Sequence, residues 1–76
     1  MPHIIVKLWP GKSEKDKELF VERIVQAGVE VLGKPESSFS VAIEEISPDV
    51  WGEQVYKPDI IGKRDQLYKE PGYKME

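Results

Sequence analysis

Seventy-six residues are enough for one domain and no more, and a chain this short buries only about 60–65% of its unfolded surface. The absence of cysteine and the single histidine exclude disulfides, thiolate nucleophiles and a multi-histidine metal site within one chain. A net charge of −3, from 11 basic and 14 acidic residues interspersed along the chain, offers no basic stripe for nucleic acid, and no apolar run approaches the roughly 20 residues of a membrane span.

The N-terminus lacks the basic region and long apolar stretch of a signal peptide, so a cytoplasmic protein is expected. A core this small is often completed by association, so a homo-oligomer is expected as well.

In chain order, residues 3–9 (HIIVKLW) read as a strand, with Ile4, Val6 and Leu8 on one face and a mixed set on the other. The PGKS turn at 10–13 delivers Ser13 as a helix N-cap, with Asp16 three residues on in a weak capping box. Residues 14–32 carry a broad apolar stripe at helical spacing, stopped by Gly33 and Pro35. A second strand is predicted over 39–46, where Phe39, Val41 and Ile43 alternate with smaller or polar residues.

Strand, long helix and strand within about 45 residues make a βαβ unit with parallel strands and a right-handed crossover. The fold class is therefore α/β, in one domain over 1–76. Two strands and one helix leave sheet surface uncovered, which again argues for a partner subunit. Further on, Ser47 and Pro48 open a short helical segment. A second helix is predicted from near Pro58, with Ile60, Ile61, Leu67 and Tyr68 on one stripe, ending at the EPGY turn of 70–73.

The common catalytic sets are missing. His3 has no recognisable nucleophile motif, PGKS lacks the upstream glycine of a phosphate loop, and Glu44 and Glu45 point to opposite faces of a strand. Pro2 is the remaining candidate. With a small residue at position 2 the initiator methionine is commonly removed, which turns the proline nitrogen into a free secondary amine. An α-amino group titrates near 8, and apolar surroundings or a nearby cation lower that value. The neutral amine is then a general base suited to moving a proton next to a carbonyl.

The run PHIIVKLWPGKS, a long helix, SSFSVAIEEI and then PDVW together resemble the 4-oxalocrotonate tautomerase family. The tail LYKEPGYKM and the chain length resemble its dimeric PptA-type subgroup. The resemblance implies a β-α-β tautomerase fold, completed into a larger sheet by dimerisation. It also implies keto–enol tautomerisation of 2-oxo acids without metal or cofactor, with Pro2 as catalytic base.

Lys12 falls where the family often has a carboxylate-binding arginine, although it is a point charge without bidentate geometry. Ser40 falls where a second arginine polarises the substrate carbonyl, and offers one neutral hydrogen bond instead. Trp51 aligns with the active-site aromatic, and is also readable as a packing residue. Arg23 and Arg64 match neither motif position. A substrate with one carboxylate and an apolar or aromatic tail, such as phenylpyruvate, is therefore expected. Two other readings stay open: a catalytically silent dimer that binds a small acid or serves in assembly, and hydration or dehalogenation by a protonated proline.

Overall fold

The computed structural model describes residues 1–75. Strand β1 (His3–Leu8) and strand β2 (Ser40–Glu45) pair in parallel, with His3 opposite Ser40 and Leu8 opposite Glu45. Helix α1 (Glu14–Leu32) makes the crossover between them. Its start is fixed by the Ser13 hydroxyl, which accepts the Asp16 amide at 3.1 Å. Its end is fixed by Gly33, whose φ of 68° is left-handed and whose amide reaches the Val29 carbonyl at 3.2 Å.

The register sorts side chains by face. Ile4, Val6 and Leu8 share a face with Val41, Ile43 and Glu45, and this face carries α1: Lys17 pairs with Glu45 at 3.3 Å, and Val21 lines a cavity with Ile43. Phe39 enters α1 at Gly28, where its ring occupies the space a Cβ would need. Gly28→Ala is expected to destabilise the protein by about 1–3 kcal/mol through overpacking. At fixed protein concentration this reads as an earlier urea midpoint. An unchanged midpoint would show that the Phe39 ring moves aside freely.

The opposite face holds His3, Ile5, Lys7, Ser40, Ala42 and Glu44. Lys7 bonds Asp59 at 2.5 Å, tying the C-terminal half to the sheet. That hydrogen bond holds the Lys7 ammonium above lysine's ordinary 10.5, against the opposing effect of burial. With a raised folded value, the pair stabilises the fold fully below lysine's ordinary value and is lost as pH climbs through the folded one. Asp59→Asn is expected to lower the thermal midpoint at neutral pH and to flatten its loss as pH climbs above lysine's ordinary 10.5. A variant whose midpoint tracks the wild type across that range would show that the pair contributes nothing.

Beyond β2 the chain departs from expectation. Ser47 does cap a helix, accepting the Asp49 amide at 3.3 Å, and Pro48 opens helix α2 (Pro48–Trp51). No new helix starts at Pro58, however. α2 runs directly into a π-helical stretch, Gly52–Ile61, with Pro58 inside it and the Gly62 amide reaching back five residues to the Lys57 carbonyl at 2.8 Å. Proline lacks the N–H and crowds the carbonyl four residues earlier, and the wider π turn accommodates both. Leu67 is extended after a 3-10 turn at Arg64–Gln66, and Tyr68 is fully exposed, so neither joins the predicted stripe.

Among the described residues only Val55 and Tyr56 are buried. The chain exposes 6122 Å², against about 4,700 Å² for a compact monomer of its 8.7 kDa mass. Its radius of gyration is 14.0 Å, where a compact chain of this length has about 11 Å. Phe20, Leu32, Val31, Ile5 and Trp9 all lie open. No helix among the described residues is long and apolar enough to cross a membrane.

Candidate active site

The residues picked out by sequence fall into two groups at opposite ends of the sheet. At the amino end, the Pro2 carbonyl accepts the Ser40 amide at 3.2 Å, which extends the β1–β2 ladder one step. Ser40 Oγ lies 2.7 Å from His3 Nδ1, a contact the register allows because residues 3 and 40 are directly paired. Pro2 is half-buried, and Met1 ahead of it is fully exposed. While Met1 is attached, the Pro2 nitrogen is an amide with no basicity.

The carboxyl end holds Lys12 and Trp51. Lys12 lines a cavity of about 340 Å³ with Leu8, Asp16, Lys17 and Phe20. Trp51 lines another, of about 580 Å³, with Lys7, Leu8, Trp9, Tyr73 and Met75. Leu8 is common to both. Within one chain, six strand residues at about 3.3 Å each separate this end from Pro2 by roughly 20 Å. The fold thus brings Ser40 to Pro2, but neither Lys12 nor Trp51.

The larger cavity is aromatic and held from behind. Trp51 Nε1–H donates to Tyr73 Oη at 3.1 Å, and the Tyr73 ring packs against Tyr56 with centroids 5.7 Å apart. Because Tyr56 is one of the two buried residues, this chain of contacts anchors Trp51 to the small core. Among the described residues its one cationic lining residue, Lys7, is already paired with Asp59. The cavity therefore suits an apolar or aromatic group better than a second carboxylate.

Residues 2–57 match the family model described as "Tautomerase enzyme". The chain belongs to the tautomerase family. It is 42% identical over 73 residues to a probable tautomerase of Xylella fastidiosa, covering 96% of this chain and 89% of the relative. It is 42% identical over 74 residues to the tautomerase PptA of Pectobacterium carotovorum, covering 96% and 97%. Among solved structures, YwhB, a homologue of 4-oxalocrotonate tautomerase, superposes with a TM-score of 0.61 at 33% identity, over 63% of this chain and 79% of that one. The β-α-β fold of the 4-oxalocrotonate tautomerase family is thereby established for this member. Membership supports a tautomerase activity, and hence an isomerase.

Three residues that sequence reasoning passed over belong to these clusters. His3 reads in the sequence as structural or exposed, and only the pairing register sets it against Ser40. Tyr73 reads as part of a turn, and Trp9 as the last strand residue. The spacing of 9, 51 and 73 along the chain carries no periodic signal that would join them.

Proposed function

We propose that this family member is a cofactor-independent tautomerase interconverting enol and keto forms of phenylpyruvate-like 2-oxo acids. It acts in the cytoplasm as a homodimer, with Pro2 as general base once Met1 is removed. The observation that carries the reading is the placement of Pro2: its carbonyl is fixed by β2, while Met1 stands free of any packing that would shield its removal.

In the ketonising direction the secondary amine of Pro2 accepts the enol O–H proton. The oxygen electron pair forms the carbonyl, and the C2=C3 pair takes a proton at C3 from the protonated amine. Lys12 attracts the substrate carboxylate, Ser40 meets an oxygen beside Pro2, and the Trp51 cavity takes the apolar tail.

The homodimer accounts for the separation of the two ends. Two copies related by a two-fold axis, with sheets side by side, bring the carboxyl end of one chain to Pro2 of the other. The excess of roughly 1,400 Å² over a compact monomer's surface, about 2,800 Å² for two chains together, is of the size that obligate homodimer interfaces bury. Without that assembly, the same roughly 20 Å separation favours the second reading, a silent acid-binding or assembly module of this fold.

An enol-to-keto assay on phenylpyruvate, paired with intact mass, tests the proposal. Consumption of the enol above the buffer rate, by protein whose mass lacks one methionine, is expected. A buffer-level rate from mass-verified processed protein would overturn the tautomerase reading.

A further inference from the structure

A single serine hydroxyl is a weak substitute for a charged group at the oxygen where negative charge develops. Its usefulness depends on where its own hydrogen points. The hydroxyl rotates, and it donates to whichever acceptor is nearest. Ser40 Oγ is 2.7 Å from His3 Nδ1, so the histidine tautomer decides the outcome. If Nδ1 is bare, it accepts the Ser40 hydrogen and nothing is left for a ligand. If Nδ1 carries a hydrogen, it donates to Oγ, and the Ser40 hydrogen is free to point away.

The geometry points to the second arrangement: His3 Nδ1–H holds Ser40, and the Ser40 hydroxyl donates to the substrate oxygen beside Pro2. Three observations place the Ser40 hydroxyl for that role, and the tautomer is what the experiment reads. The direct pairing of residues 3 and 40 puts both side chains on the sheet face opposite α1. Both are exposed, so a ligand reaches the hydroxyl without displacing packed groups. The Ser40 amide is bonded to the Pro2 carbonyl, so the hydroxyl is carried by the residue that fixes the base.

His3 is then a positioning residue that acts through Ser40, and Ser40 is the group that touches substrate. This rests on the tautomerase reading above. In the enolising direction a C3 proton moves to the Pro2 amine and the electron pair runs to the C2 oxygen. The Ser40 O–H hydrogen bond shortens there as charge builds, without transferring its proton. The proton then returns from Pro2 to that oxygen. A donor aimed where charge develops contributes mainly to the transition state.

Because the chain has one histidine, long-range 15N–1H spectra of the processed protein report its tautomer without ambiguity. The Nδ1–H form is expected, and a neutral Nε2–H ring overturns the proposal. Ser40→Ala should lower kcat by about 10²-fold with KM little changed, the pattern for loss of a donor used in the transition state. His3→Ala should lower kcat in the same way. His3→Asn, whose amide N–H sits near the position of Nδ1–H, should recover most of it. Both substitutions at His3 should have no further effect in the Ser40→Ala background.

An active wild type whose Ser40→Ala variant keeps its kcat overturns this inference and leaves the tautomerase intact. A processed wild type that is inactive overturns both.

Discussion

Protein that has lost Met1 is expected to ketonise an enol 2-oxo acid, and protein that retains Met1 is expected to run at the background rate. The difference is chemical. With Met1 attached, the Pro2 lone pair is delocalised into a peptide bond and accepts no proton at any accessible pH. Removal changes no packed contact, because Met1 is fully exposed, so the two forms should have the same fold. Blocking removal is thus a cleaner test than most substitutions.

Pro2→Ala, once processed, leaves a primary amine that is still basic but more flexible and differently solvated. Its kcat/KM should fall without vanishing, within the 10²–10⁴-fold that general-base catalysis typically contributes. Equal kcat/KM for that variant and wild type would remove Pro2 from the chemistry. Lys12→Ala, by contrast, should chiefly raise KM, because a carboxylate contact is made equally in ground and transition states.

Mixing two impaired variants is expected to restore activity. Pro2→Ala damages the amino end of the sheet and Trp51→Ala the carboxyl end. In one chain these ends are roughly 20 Å apart. If each site takes Pro2 from one subunit and Trp51 from the other, half of the dimers in an equal mixture are hybrids. Each hybrid has one doubly damaged site and one intact site, so about one quarter of the wild-type rate should return after subunit exchange. A site built within a single chain gives no intact copy in any hybrid, and the mixture would then stay at the average of its parents.

The same assembly makes the thermal midpoint rise with protein concentration, since association stabilises the folded chain by mass action. A stable folded monomer at micromolar concentration, seen by sedimentation, would contradict the dimer.

The β-α-β half of the molecule was legible because local signals agreed. Ser13, the apolar stripe of 14–32 and Gly33 all bound the same helix, and period-two alternation marked both strands. The C-terminal half was not, because Pro58 reads locally as a helix start and yet sits inside a π-helical stretch. Nothing near Pro58 in sequence announces a wider turn. The partnership of Lys7 with Asp59 spans 52 positions and is equally silent.

At the candidate site, residue types were readable and their separation was not. Pro2, Lys12, Ser40 and Trp51 each stand out, but only the parallel register shows Ser40 beside Pro2 and the other two a strand length away. The aromatic cavity depends on Tyr73 reaching back to Trp51, a contact made across 22 positions.

The central claim is that a proline amine is the base, and direct titration of the Pro2 nitrogen beside the pH–rate profile tests it most closely. On mass-verified processed protein, 15N NMR gives the ionisation of the amine itself. kcat/KM should rise with pH through one ionisation of the free enzyme and then level. Both midpoints should coincide below the roughly 8 of an ordinary α-amine, because partial burial disfavours the charged form. Trp51→Ala, which admits water, should move both upward together. A profile flat between about pH 5 and 9, or a kinetic midpoint more than about one unit from the NMR value, would assign the proton transfer to another group.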